Sequence, residues 1–250
     1  MTLSPPAPPP ARSEKRRYVR DMFSAIAPRY DLLNHLLSLG VDRSWRRHAV
    51  DRLLWEGRAA GRGVYLDACA GTLDLGVELA RRPRFGGRVV ATDFATPMLR
   101  LGTQAGKPAR GRVSATAADT LALPFPDSSF DGVMVGFGVR NLEDLDAGLR
   151  ELWRVLKPGA RLVVLDFTTP SWAPLRALYL FYFHRVLPLV GRVVSGHPTA
   201  YSYLPASVEA FPAPVALLAR MRAVGFRADD GGAGFELLTG GIAAIHWGTR

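Results

Sequence analysis

Val64-Tyr65-Leu66-Asp67-Ala68-Cys69-Ala70-Gly71-Thr72-Leu73-Asp74-Leu75 is the stretch whose reading decides the fold. Its apolar start, closed by an acid, predicts a buried parallel strand. Its small residues predict a turn through which backbone N–H groups approach a ligand closely. The residues after it continue into a helix, whose free N–H groups and positive dipole end face that ligand. Further on, Val89-Val90-Ala91-Thr92-Asp93 is a second apolar run closed by an acid. A carboxylate at the tip of the second strand is where an α/β nucleotide site holds a ribose diol. Two strands, a loop and two acids therefore predict one nucleoside pocket, although any α/β protein contains plain strand-turn-helix units. With a single glycine, Gly71, the loop does not fit the dinucleotide pattern G-x-G-x-x-G.

The 250 residues suit one large α/β domain with an appended piece and can bury a sizeable core. One cysteine, Cys69, excludes a disulfide framework and fits a reducing cytoplasm. The five histidines have no ligand spacing, so no metal is expected. No apolar stretch reaches the roughly 18 residues of a membrane span, and the Pro-rich start lacks the apolar region of a signal peptide. The net charge of +10 comes almost wholly from arginine, with lysine only at Lys15, Lys107 and Lys157. It suits nucleic acid, an anionic membrane surface, or nothing specific.

Residues 1–17 read as a Pro-rich, basic, disordered tail, and 18–250 as a single domain. The basic cluster around Lys15-Arg16-Arg17 is either a solvated helix start or a membrane-surface contact. Residues 18–60 predict a helical lid: Met22, Phe23, Ile26 and Tyr30 share a face, Pro28 interrupts it, and helices follow over 31–39 and 42–55, with Asp42 a candidate cap. Strands are expected at 88–93, 112–118 and 130–137, helices at 96–106 and 142–156, and a fifth strand after Lys157-Pro158-Gly159. A substrate-side insert spans 170–210. Its apolar run Trp172–Val194, broken by Arg176, His184, Arg185, Pro188 and Arg192, suits either a lipid-facing helix pair or a buried cap. A helix over 212–224 and strands over 225–230 and 235–247 close the chain.

Five segments carry a resemblance. The first loop resembles strand-Asp-x-small-x-Gly-Thr-Gly of class I S-adenosylmethionine-dependent methyltransferases, with Leu73 at the last glycine. Tyr30-Asp31-Leu32-Leu33-Asn34-His35-Leu36-Leu37-Ser38 with Trp45-Arg46 resembles the N-terminal signature of the ubiquinone/menaquinone biosynthesis C-methyltransferases. Gly136-Phe137-Gly138-Val139-Arg140-Asn141 is similar to their Ser-Phe-Gly-apolar-Arg-Asn run, with Gly136 for Ser. Arg154-Val155-Leu156-Lys157-Pro158-Gly159 and Tyr201-Ser202-Tyr203-Leu204 complete the order. The resemblance implies a Rossmann-like α/β fold, a seven-stranded, mostly parallel sheet with an antiparallel last strand. It implies S-adenosylmethionine at Asp67, Gly71, Thr72, Asp93, Asp119, Thr120 and Gly136. It places Arg140, Asn141 and Tyr30 in catalysis, His35 and Tyr201 at the substrate, and no metal.

The activity so implied is C-methylation of a lipophilic polyprenyl quinol, demethylmenaquinol first and a 2-polyprenyl-1,4-benzoquinol second. Peripheral membrane contact and a homodimer are implied partners, nucleic acid is not. An aromatic C–H is a poor nucleophile, and ionising a ring hydroxyl of pKa near 10 enriches the adjacent carbon. The protein must align that carbon with a sulfonium methyl and stabilise the quinolate. Arg140, a cation rather than a base, suits that role, and Asn141 suits orienting the ring oxygen. A non-catalytic quinone-binding member is the reading that the Leu73 and Gly136 departures leave open. A nucleic-acid methyltransferase fits poorly: there is no Asp/Asn-Pro-Pro-aromatic stretch, and Cys69 lies inside the loop rather than outside it as a nucleophile.

Overall fold

The structure, a computed structural model, describes residues 12–29, 38, 40–57, 62–104, 111–186, 200–227 and 234–250. Seven strands form one sheet in the order β3-β2-β1-β4-β5-β7-β6. They are β1 (Val64–Ala68), β2 (Arg88–Asp93), β3 (Val113–Ala117), β4 (Phe130–Gly136), β5 (Leu156–Phe167), β6 (Phe235–Leu238) and β7 (Ala243–Thr249). The first five run parallel, and β7 is antiparallel to both β5 and β6. This is the sheet that the sequence implied.

The two faces separate cleanly because side chains alternate along a strand. Leu66, Val133, Val135, Leu162 and Val164 face Leu149 and Leu152 of α5 (Leu145–Val155) and Leu217 and Met221 of α8 (Pro214–Val224). Tyr65, Met134, Val163 and Leu165 face the other way, onto Trp45, Ala49 and Val50 of α2 (Asp42–Arg52) and Leu75 and Leu79 of α3 (Asp74–Ala80). Each such side chain, sealed from water, contributes about 1.5–3 kcal/mol. The core is thus two apolar layers on one sheet, and β1 and β4 are its buried centre. Strand order reverses between β1 and β4, where an open α/β sheet leaves a crevice at its carboxyl edge.

Several sequence expectations change. Helix α1 (Arg12–Ile26) begins inside the expected tail, so residues 12–17 are helical, carried by Val19, Met22 and Ile26 packing on Tyr203. The helix expected over 31–39 lies outside the described residues, apart from Ser38, which is in a turn. Asp42 is not a cap: it opens α2 as a helical residue and accepts from the Ser38 hydroxyl and from Arg46. Residues 225–227 join the sheet only by a bridge from Arg227 to Thr249. The last expected strand is a hairpin, because Thr239, Gly240 and Gly241 all take positive φ (49°, 67° and 93°) and reverse the chain. The insert yields α6 (Ala173–Phe181), a π-helical turn (Tyr182–Val186) and α7 (Ala200–Glu209).

Candidate active site

Backbone conformation builds the first half of the site. Cys69, Gly71 and Leu73 alternate along the loop after β1 with φ of 53°, 52° and 72°. Such alternation turns successive N–H groups toward one side and makes an anion-seeking concavity. A left-handed residue other than glycine costs roughly 1–2 kcal/mol, so strain is concentrated here. The loop is tied down by Ala70 N donating to Thr92 O at 2.9 Å and Leu73 N to Ala70 O at 2.8 Å. Asp93, at the tip of β2, accepts from Gly71 N at 2.9 Å and Ala95 N at 2.8 Å. Burial pushes its pKa up, and those N–H groups pull it back.

Asp67 lies under the loop, fully buried. One oxygen accepts from Gly76 N at 2.8 Å, in the first turn of α3. The other has no hydrogen-bond partner among the described residues. Burial raises this carboxyl to about 7, and neighbouring Asp74 and Asp93 add to the rise. Arg46, ion-paired with Asp42 and 3.4 Å from Asp74, opposes it. A buried acceptor without a donor is a place for a cationic group.

Asp119 follows β3. Its carboxylate accepts from Leu121 N at 3.0 Å and pairs with Arg16 of α1 at 2.8 Å. The Thr120 hydroxyl is 3.3 Å from the Cys69 sulfur, and burial raises that thiol's pKa far above its usual range. These groups surround a cleft of about 640 Å³, open to solvent. Gly71, Asp93, Asp119, Thr120, Gly136 and Asn141 line it, with Phe23, Phe94, Met98 and Phe137 as apolar walls. Asp67 and Thr72 are buried and do not line it. Leu73 does not either: it is fully buried, and a β-carbon on Gly102 would stand 2.6 Å from its Cγ. Its side chain therefore turns into the core rather than into the cleft. At Gly136 a β-carbon would meet Leu75 at 3.3 Å, and at Gly138 it would overlap the Cys69 side chain at 2.3 Å. Glycine is obligatory at 138, where the two loops touch.

The second half begins at Phe137 (φ 59°), which turns β4 into a 3-10 turn, Val139–Asn141. Arg140 is buried there, with its guanidinium 2.6 Å from Asp166 at the end of β5 and also bonded to Phe137 O. Its cation stands over the Phe167 ring at 5.4 Å. Asn141 donates to Phe137 O at 3.3 Å and accepts from the Tyr203 hydroxyl at 3.1 Å. Burial pushes the Tyr203 phenol up to about 12, against the pull of Arg140. Tyr179 on α6 is buried too, its hydroxyl without a hydrogen-bond partner among the described residues. Burial also lifts Asp166 above the usual carboxylate range, against Arg140 and the Phe167 and Arg140 N–H groups.

The structure thus brings Asp93, Asp119, Thr120, Gly71 and Gly136 to one cleft, with Asn141 at its end and Arg140 behind it. Tyr30 and His35 lie outside the described residues, as does the side chain of Tyr201, whose backbone is in α7. Sequence reasoning gave no role to Asp166, Tyr179, Tyr203, Lys15 or Arg16. The signal for Tyr203 was present, since it shares Tyr-x-Tyr-Leu with Tyr201. Nothing local announces Arg16, which meets Asp119 only through tertiary packing.

Strand order, loop and paired carboxylates together define a class I methyltransferase fold. Solved structures share it: the [4+2]-cyclase SpnF (TM-score 0.65, 19% identical, covering 95% of this chain and 79% of that one). A methyltransferase from Thermotoga maritima also matches (TM-score 0.62, 18% identical, 92% and 98%). A cyclase on this fold shows why chemistry must come from the site. Residues 11–250 match the ubiE/COQ5 methyltransferase family, and the chain belongs to that family. Among its relatives, the demethylmenaquinone methyltransferase of Thermus thermophilus is 52% identical over 92% of this chain and 100% of its own. That of Deinococcus radiodurans is 43% identical over the full length of both. The ubiquinone/menaquinone biosynthesis C-methyltransferase UbiE of Geobacter sulfurreducens is 46% identical over 95% and 90%. The chain is a methyltransferase, and its methyl donor is S-adenosylmethionine. The donor fits what is present: the cleft has carboxylates for hydroxyls and an amine, and beneath its loop the buried Asp67 leaves one oxygen without a donor among the described residues. Among the described residues no cluster of acids, histidines and cysteine is arranged to hold a metal.

Proposed function

We propose that the chain methylates a ring carbon of demethylmenaquinol. The observation that carries this reading is Asn141 at the end of the cleft, held by Tyr203, with Arg140 directly behind it, held by Asp166. In this reading Asp93 holds the ribose diol, Asp119 the adenine amine, and the loop 69–73 the amino-acid end. When bound, S-adenosylmethionine would supply the methyl on a sulfonium sulfur: the ring carbon would bond the methyl as the S–CH3 bond breaks and the neutral thioether leaves, after which that carbon loses its hydrogen as a proton and the ring oxygen regains one. The quinol's ring oxygen lies against Asn141, and Arg140 stabilises it as its proton departs to water. Asp166 orients Arg140 and reduces its net charge, so stabilisation comes from a preorganised guanidinium dipole more than from a bare cation. Tyr30, His35 and Tyr201 are proposed to shape the ring pocket.

The test is methyl transfer from labelled S-adenosylmethionine to a short-chain demethylmenaquinol and to the matching 2-polyprenyl-1,4-benzoquinol. Preferred turnover of the naphthoquinol supports the reading, preferred turnover of the benzoquinol replaces it with the ubiquinone-pathway alternative, and turnover of neither overturns it.

The same reading includes contact with a membrane surface, where such a quinol resides. Trp172 just before α6 and Leu178 and Phe181 on it are 66%, 65% and 60% exposed, and Arg176 on α6 and Arg185 in the following π-helical turn are exposed as well. Between Asp166 and Glu209 the sequence has no carboxylate at all. Apolar side chains with cations alone suit an anionic bilayer surface. No described helix is long and apolar enough to cross a membrane. Flotation with phosphatidylglycerol vesicles tests this: a Trp172→Ser/Phe181→Ser variant that floats as well as the wild type rules α6 out as the contact.

A further inference from the structure

We infer that Lys15 is a positioning residue for the Arg140–Asn141 turn, and that α1 is the strap joining the two ends of the active site. The inference rests on the proposed roles of Arg140 and Asn141. The Lys15 ammonium donates to Arg140 O at 3.0 Å and to Leu142 O at 2.8 Å, across 125 and 127 positions of sequence. A helical lysine near the chain start is ordinarily a solvated one, yet this side chain is half-buried against the turn that carries both groups. One residue along, Arg16 pairs with Asp119 at 2.8 Å. Three residues along from Lys15, Tyr18 packs on Tyr203 with ring centroids 5.6 Å apart, and Tyr203 donates to the Asn141 side chain. Asn141 is therefore braced on both sides, its turn through Lys15 and its amide through Tyr203, and both braces end on α1.

The residue type fits the task. An ammonium offers three donors that rotate to meet two converging carbonyls, whereas the planar guanidinium fork matches carboxylates. Arginine takes the carboxylate next door, at Arg16, and lysine takes the carbonyls. In a chain with 32 basic residues of which only three are lysines, that division is not the compositional default. Without the ammonium, the two carbonyls lose a charged donor and the turn gains freedom to carry Arg140 away from the ring oxygen.

The test compares Lys15→Met and Lys15→Arg with the wild type. In Lys15→Met, turnover of the quinol should fall about tenfold or more while the Kd for S-adenosylmethionine stays within about twofold. The rise of kcat/KM with pH, set by ionisation of the quinol, should move about half to one pH unit higher, because the cation stabilising the quinolate is displaced. Lys15→Arg should keep the wild-type pH limb and part of the rate. Amides 139–142 should exchange hydrogen faster in Lys15→Met, a readout that needs no substrate. Exchange, rate and pH limb all equal to wild type would overturn the inference. So would a lower rate with an unmoved pH limb and a matching drop in Tm, which is what loss of simple helix docking gives. Should wild-type protein methylate no quinol, the proposed function fails, while exchange at 139–142 still decides whether Lys15 braces the turn.

Discussion

The two halves of the site are built by different means. The cofactor half is made from strand ends and loop backbone: Asp67, Asp93 and the N–H groups of Gly71, Gly76 and Ala95 all lie within two adjacent strand-loop-helix units. The half assigned to the quinol is made from side chains brought together over long separations. Asp166 reaches Arg140 across 26 positions, Tyr203 reaches Asn141 across 62, and Lys15 reaches the same turn across 125. The carboxyl ends of β1 and β2 fix the first half almost automatically, because Leu66–Ala68 and Ala91–Asp93 are buried. The second half depends on whether α1, α6 and α7 dock. Damage should therefore spread differently from each.

The largest effect is expected at the Arg140–Asp166 pair. Arg140→Met leaves the Asp166 carboxylate buried beside an apolar chain, at about 3–5 kcal/mol of stability. Methyl transfer should fall below detection. Arg140→Met/Asp166→Leu removes both charges and should recover most of that stability in urea melts without recovering activity. Recovery of activity in the double variant would remove Arg140 from the chemistry.

Asp93→Ala strikes the other half. It removes the carboxylate that holds Gly71 N and Ala95 N and that is assigned the ribose diol. Charged hydrogen bonds of this kind are worth about 1.5–3 kcal/mol, so calorimetry should show S-adenosylmethionine affinity reduced about 10- to 100-fold. The quinol half should keep its structure, seen as unchanged exchange at 139–142. Altered exchange there would show that the two halves are not separable.

The difference in construction also explains what was legible. Apolar runs ending in Asp67 and Asp93 are local signals, so the first two strands and the Gly71 and Asp93 positions could be read from the residues themselves, while Asp119, Thr120, Gly136 and Asn141 came with the family resemblance. Arg16 and Lys15 carry no such signal, and Asp166, although it also closes an apolar run, has nothing local that pairs it with Arg140. Lys15 and Arg16 lie in a basic run that reads first as a solvated helix start and second as a membrane-surface contact, and packing of Val19, Met22 and Ile26 turns that run toward the site. Thr239-Gly240-Gly241 falls inside the strand expected over 235–247, although two adjacent glycines are a turn signal and all three residues take positive φ.

A smaller effect should separate protonation in the cofactor half from its packing. Asp67, raised to about 7 by burial, lies above its ordinary value near 4. Between those values the folded protein holds a proton that the unfolded chain has released, so this group's contribution to stability falls as pH rises from about 4 to 7. Asp67→Asn should thus raise Tm at pH 8 and leave it nearly unchanged at pH 4. If Asp67 takes the donor's ammonium, wild-type affinity should weaken as pH drops through about 7, and the variant should bind weakly at every pH. A wild-type Kd flat between pH 6 and 8 would detach Asp67 from the ammonium.

The smallest effect on function is expected where the sequence suggested a serious one. Leu73 occupies the last glycine position of the loop with φ 72°, yet it is fully buried and points at Gly102 on α4 (Thr96–Gln104). The bulk that the loop gained is met by glycine on the facing helix. Leu73→Gly would relieve roughly 1–2 kcal/mol of left-handed strain and lose the roughly 2–5 kcal/mol that emptying a buried leucine site costs. Net stability should fall by about 1–3 kcal/mol, with affinity for S-adenosylmethionine within about twofold of wild type. Gly102→Ala alone should also destabilise, since its β-carbon meets Leu73 Cγ and the Thr72 carbonyl oxygen at 2.6 Å each, and adding Leu73→Gly should relieve only the side-chain part of that clash. Clearly tighter cofactor binding in Leu73→Gly would mean that the side chain crowds the cleft after all, and that the two halves of the site share their strain.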